Sequence, residues 1–212
     1  MTATIEKLLA ISSPSLNANA PTSSAELLPF AGPLVDELAE VLRARNGFYA
    51  FESALHVYPA RSGGGEMGLM EWNATDLWIK EFQGLADGSL YFAQDIFGDQ
   101  FCIRVDGIYH FNPETAQLDK LAPDLDGWAR IVLDDYNLLT GYPLGKEWQQ
   151  MHGRLAPGSR LLPKMPFVFG GEFSVENLYP FDAVTGMRFR GSIAVQTKDV
   201  PDGRQIRLRV VD

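Results

Sequence analysis

Leu90-Tyr-Phe-Ala-Gln94, Gln100-Phe-Cys-Ile-Arg-Val105, Ile108-Tyr-His-Phe111 and Gln117-Leu-Asp-Lys-Leu121 are short runs rich in aromatic and branched residues. Each is bounded by turn formers: Asp95–Asp99, Asp106-Gly107 and Asn112-Pro113. Such runs read as strands, and connections this short join antiparallel neighbours. Asp-Gly between two apolar runs is the strongest short-range hairpin signal, so the turn between the second and third strands is expected at Asp106-Gly107. The stretch is a meander, and it decides the fold class.

Upstream of it, Pro33 suits a first helical position, and Leu34, Val35, Leu38, Val41 and Leu42 recur on one face. That spacing predicts a helix over 33–45, stopped by Asn46-Gly47. Residues 48–59 read as a strand interrupted by a turn or short helix, and residues 61–68, RSGGGEMG, as a loop. A helix is expected from Asn73 or Thr75, carrying Leu77, Trp78 and Phe82. Downstream, a helix over 124–138 turns Leu125, Trp128, Ile131, Val132 and Leu138 inward and Asp134 and Asp135 outward. A helix over 143–152 follows, then strands near 165–169 and 173–181, a helix over 182–197 and a last strand over Gln205–Val211. Residues 1–28 read as a weakly ordered arm with one short helix at 3–10. The order lacks regular βαβ alternation, so the expected class is α+β. It is one domain over 29–212, with a mixed or mostly antiparallel sheet flanked by helices.

The chain has 212 residues, 46% hydrophobic and 21% charged, and can bury a core without cross-links. Cys102 is the only cysteine, which excludes a disulfide scaffold, a classical zinc finger and an iron–sulfur cluster. No apolar run reaches the roughly 18 residues of a membrane span, so no membrane partner is expected. Net charge is −9; residues 1–142 carry 20 acidic and 8 basic side chains, and the remainder is net positive. A nucleic-acid binder normally has the opposite sign. An acidic surface either aids solubility or steers a basic partner. The N-terminus carries Glu6 and Lys7 before a short apolar stretch, unlike a secretory signal, which makes the cytoplasm the expected location.

Catalytic motifs are weak. Gly63, Gly65 and Gly68 match G-x-G-x-x-G, but Tyr58-Pro59-Ala60-Arg61 precedes them and Glu66 would sit beside a phosphate, so the segment reads as a connector. Cys102 reads as a small buried hydrophobe. His110 and Glu114 are separated by Pro113, which forbids the helix that would align them, and His56 and His152 stand isolated. Neither a metal nor a cofactor is expected. The four tryptophans read as core. In Gly158–Gly171, Leu161, Leu162, Phe167 and Phe169 pin an extended connector, while Arg160 and Lys164 are expected in exposed pairs with the chain's own acids. No carboxylate with a strongly raised pKa is expected within a closed cleft.

Phe92-Ala-Gln-Asp-Ile-Phe-Gly98, Gln100-Phe-Cys-Ile103, Asp106-Gly-Ile-Tyr-His-Phe111, Glu114 and Leu121-Ala-Pro-Asp-Leu-Asp-Gly-Trp128 resemble the SUKH superfamily of bacterial immunity proteins and fungal cell-wall regulators. Leu42-Arg-Ala-Arg-Asn-Gly-Phe-Tyr-Ala-Phe51 is similar to that family's turn after its first long helix. The resemblance covers roughly residues 29–140, and the chain from about 143 looks like a subfamily extension. It implies an α+β fold, no catalytic residue, and binding to a protein partner, most often a basic toxin domain. On that reading Asp95, Asp99, Asp106, Glu114, Asp119, Asp124, Asp126, Asp134 and Asp135 face the partner, with a Trp or Tyr as central anchor. A regulatory or scaffold module of the same fold is the alternative, ahead of an enzyme of unknown type.

Overall fold

Four of the five connections between neighbouring strands are short turns, which favour antiparallel pairing, and the sheet follows sequence order throughout. The computed structural model describes residues 1–27 and 29–200. Six strands, β1 (Phe48–Ala50), β2 (Leu55–Val57), β3 (Leu90–Gln94), β4 (Gln100–Arg104), β5 (Gly107–Asn112) and β6 (Gln117–Ala122), form one antiparallel sheet. Two later strands, β7 (Ser159–Pro163) and β8 (Leu178–Asp182), pair separately. The α-helices among the described residues are α1 (Ala3–Ala10), α2 (Pro33–Ala44), α3 (Leu69–Trp72), α4 (Leu125–Asp134), α5 (Tyr136–Thr140), α6 (Tyr142–His152) and α7 (Ala183–Thr197). This is the expected single-domain α+β class. The strand expected over Gln205–Val211 lies outside the described residues.

Several elements differ from expectation for identifiable reasons. Arg104 pairs with Gly107, so the β4–β5 turn is Val105-Asp106, one residue early. Gly107 is needed instead for close approach, because a Cβ there would lie 2.5 Å from the Ala122 carbonyl oxygen. The helix expected from residue 73 or 75 is replaced by α3 and a 3-10 turn at Ile79–Phe82. Asn73 is the cause: its side chain bonds the backbone N–H and carbonyl of Tyr91, both at 2.8 Å, and ties the segment to β3. The helix expected over 124–138 breaks at Asp135, whose carboxylate accepts from Leu138 N–H and caps α5, and Leu138 is 76% exposed. The strand expected at 165–169 is a 3-10 turn at Phe167–Phe169, begun by Pro166 and closed by left-handed Gly170. Residues 3–10 form the expected short helix, but it is docked: Ile5, Leu8 and Leu9 are buried against the core. Arg45 then holds the following carbonyls of Leu9, Ser12 and Ser13.

The sheet is covered on both faces. On one, Phe92 and Phe101 meet Trp128 of α4 edge to face at 5.0 and 5.7 Å. On the other, Tyr91 and Phe111 pack with Trp78 and Phe82, while α7, β7 and β8 cover the remainder. A bulge places the polar residues. Tyr91 pairs with Cys102 but Ala93 with Phe101, so Phe92 is an extra residue in β3. Simple alternation would put Gln94 on the α4 face beside Phe92; the inserted residue moves it to the opposite face. Tyr49, His56, Gln94 and Gln100 therefore form one cross-strand row.

Candidate functional site

The expected acidic face divides into two sets. Asp106 is exposed in the β4–β5 turn and Asp119 on the edge strand β6, Asp134 and Asp135 are exposed at the end of α4, and Asp124 and Asp126 are half-exposed at its start. Asp106 pairs with Lys120 at 2.8 Å and Asp126 with Arg130 at 2.8 Å. Glu6 on α1 and Asp36 and Glu40 on α2 extend this surface, since both helices pack on α4. Across α1, α2, α4 and the two caps Asp124 and Asp135, the charged residues are eight carboxylates against Lys7, Arg43 and Arg130.

Asp95, Asp99 and Glu114 belong elsewhere. Asp95 is 5% exposed and Glu114 4%, so neither can meet a partner. The Asp95 carboxylate accepts from Phe97 N–H at 2.9 Å and Asp99 N–H at 2.8 Å, closing the β3–β4 turn. Glu114 accepts from Val168 N–H at 2.8 Å. Arg190 of α7 lies among them, donating to Phe97 O at 3.0 Å, Gly98 O at 3.2 Å and Asp99 Oδ1 at 3.4 Å. Burial, then the charge of Asp99, pushes the Asp95 carboxyl well above the usual carboxylate range, and burial raises Asp99 and Glu114 as well. The raised Asp95 carboxyl serves the turn, accepting from two of its N–H groups.

The sign of that shift sets how stability varies with pH. As pH rises past about 4 the unfolded chain releases the Asp95 proton first, so the stability this group contributes is present below that pH and is lost above it. Asp95→Asn keeps an acceptor for both N–H groups and removes the titration. The variant is expected to gain on the wild type in thermal unfolding midpoint between pH 4 and pH 7, while Asp95→Ala loses at both. A wild-type advantage over Asp95→Asn that grew with pH would contradict this.

The polar row forms a second cluster, which sequence reading missed. Gln94 turns its amide oxygen toward Arg160, accepting from Nε at 3.0 Å and Nη2 at 3.2 Å, and accepts from His56 Nδ1 at 3.1 Å; this orientation is assigned from the network. Gln100 Oε1 accepts from Trp72 Nε1 at 2.9 Å. Tyr49 Oη donates to both oxygens of Glu66 at 3.1 Å. His56 stacks on Tyr49 at 4.5 Å, and Tyr58 stacks on Trp72 at 4.9 Å. Burial, then the Arg160 charge, holds the His56 imidazole well below its usual pKa, so it is neutral. Burial raises the Glu66 carboxyl. Arg160 is buried over the Tyr49 ring at 5.7 Å, a correction to the exposed pair expected of it. The readable signal was glutamine inside two apolar strands, which demands buried partners.

His56 and Gln94 of this row floor a cleft of about 320 Å³, walled by Tyr58, Trp72, the 62–67 loop and the start of α7. Glu66 lines it with a carboxyl that burial raises. Among the described residues, no three His, Cys, Asp or Glu side chains gather as a metal site would require. Burial pushes the Cys102 thiol up to about 12, which leaves it protonated and unreactive at neutral pH.

The fold and these two regions define a single-domain α+β protein with a six-stranded antiparallel sheet, an acidic helical face and a polar cleft on the opposite side of the sheet. The solved structure of Atu4351 from Agrobacterium tumefaciens is similar, with a TM-score of 0.59 over 88% of this chain and 88% of that one, at 13% sequence identity. The likeness establishes a shared fold. No protein-family profile matches the chain, and no curated protein is similar to it in sequence. Among the described residues, no helix is long and apolar enough to cross a membrane.

Proposed function

We propose that this chain is a non-catalytic protein-binding module of the SUKH type, an immunity protein that caps a basic toxin domain in the cytoplasm. The observation that carries the reading is the acidic layer of α1, α2 and α4. Glu6, Asp36, Asp134 and Asp135 are exposed there, and none makes an ion pair among the described residues. A surface with carboxylates in such excess attracts a cationic partner over a Debye length, about 8 Å at physiological salt. A toxin that acts on nucleic acid needs a cationic surface, which supplies the complement.

The test pairs the protein with the product of an adjacent reading frame. Tight binding is expected, weakening at least about tenfold from roughly 0.05 M to 0.3 M salt. The double substitution Glu6→Lys, Asp134→Lys is expected to lower the association rate by a similar factor with little change in thermal stability, since both side chains are exposed and neither caps a helix. Salt-independent binding, or neighbouring frames without a toxin domain, would remove the immunity reading and favour a regulatory or scaffold module of the same fold. A second reading, as an enzyme, draws on Glu66 and His56 in the cleft; turnover of any substrate lost in His56→Gln would favour it.

A further inference from the structure

The cleft on the polar face has a floor that the chain itself does not complete. His56 is 3% exposed, and its Nε2 has no hydrogen-bond partner within the protein. Its Nδ1–H is given to Gln94, which leaves Nε2 as a bare acceptor. Glu66 Oε2 lies 3.8 Å from that nitrogen, beyond hydrogen-bond reach. Two acceptors thus stand side by side, and a buried acceptor without a donor is unfavourable.

The lining fixes the chemistry of the missing donor. The charged residues around the cleft are Glu66, Glu71 and Asp182, all acidic. Asp182 already gives one oxygen to Thr185 at the start of α7, while Glu71 is exposed. The buried cation of this network, Arg160, is not among the lining residues, and its Nε and Nη2 are committed to Gln94. The walls are apolar, formed by Tyr58, Trp72 and Met67. A guanidinium presents paired N–H donors in a fixed fork, carries the complementary charge, and brings an alkyl stem for apolar walls.

We propose that this cleft binds an alkylguanidinium group, with its fork bridging His56 Nε2 and Glu66 Oε2 and its stem against Tyr58 and Trp72. The group is either the side chain of an arginine in another protein or a free guanidine compound. The site stands whether or not the acidic helical face binds a toxin, because it lies on the other side of the sheet.

The experiment titrates the full chain, labelled with ¹⁵N at histidine, first with ethylguanidinium chloride and then with a Gly-Gly-Arg-Gly-Gly peptide. Sodium chloride serves as the ionic-strength control. The His56 Nε2 resonance is expected to move on addition of the guanidinium, with His110 and His152 unaffected. A Kd on the order of 1 mM is expected for so small a probe. Glu66→Gln keeps an oxygen for Tyr49 and removes the charge; it is expected to weaken binding about tenfold or more. Tighter binding of the peptide than of the free ion assigns the site to a protein side chain, and equal binding assigns it to a small molecule. Either result supports the proposal. No movement of the His56 signal with either probe, or the same movement with sodium chloride, overturns it. Should Glu66→Gln fail to fold, the wild-type titration decides alone.

Discussion

Replacing Arg190 with methionine is expected to lower stability by about 3–5 kcal/mol, the loss typical of breaking a buried charge cluster from one side. Arg190 is 3% exposed and sits among Asp95, Asp99 and Glu114. Methionine fills much of the volume but gives no donor to the carbonyls of Phe97 and Gly98, which Arg190 now bonds. Asp95 and Glu114 would then face burial without Arg190's charge, while Asp99 keeps His110 at 3.5 Å. Their response fixes the pH dependence. Removal of a cation raises their pKa values further, so the variant's deficit is largest where the wild-type carboxyls are ionised and shrinks as acid neutralises them. Urea midpoints at pH 7 and pH 4 check this. A deficit that stays constant between the two would mean that packing, and not charge, is what Arg190 supplies. Arg190→Lys restores the charge without the planar fork and is expected to recover only part of the loss.

Trp72→Ala is expected to cost a similar amount, about 3–5 kcal/mol, as large-to-small changes at buried aromatics do. Trp72 ends α3, stacks on Tyr58, meets Trp78 at 5.6 Å and donates its Nε1–H to Gln100. Its removal opens a cavity under the cleft and leaves Gln100 Oε1 without that donor. Trp72→Phe keeps a ring in the stack and loses only the hydrogen bond, so its loss should be about 1–2 kcal/mol. Equal losses in the two variants would show that the Gln100 bond, and not the ring, holds this wall. Denaturant unfolding of both proteins separates the two contributions.

Local physics made much of the fold readable. The β3–β6 meander, the helix begun by Pro33, and α6 and α7 lie within a few residues of where turn formers and apolar spacing place them. The errors fall where a side chain bonds backbone groups, whether remote in sequence or at a local cap. Asn73 is committed to Tyr91, and this prevents the helix that Leu77, Trp78 and Phe82 suggest. Asp135 looks like an outward residue in mid-helix, but as a cap it splits the helix in two.

The acidic site was readable as composition, because charge on helix surfaces follows from amphipathic spacing alone. That count could not show that Asp95 closes a turn or that Glu114 holds the backbone of Val168, 54 positions away. His56 seemed isolated because its neighbours Glu66, Gln94 and Arg160 come from a loop and two other strands.

Taken alone, the amino-acid order settled the β3–β6 meander with its antiparallel pairing, the buried face of α2 and the negative charge of the first two-thirds, because each depends on near neighbours in sequence. Only the tertiary structure decided that Phe92 is an extra residue in its strand, which moves Gln94 across the sheet to join His56, and that Arg160 and Arg190 are buried against it. The reason is that hydrogen bonding between strands sets register, and a one-residue change in register moves every later side chain to the opposite face.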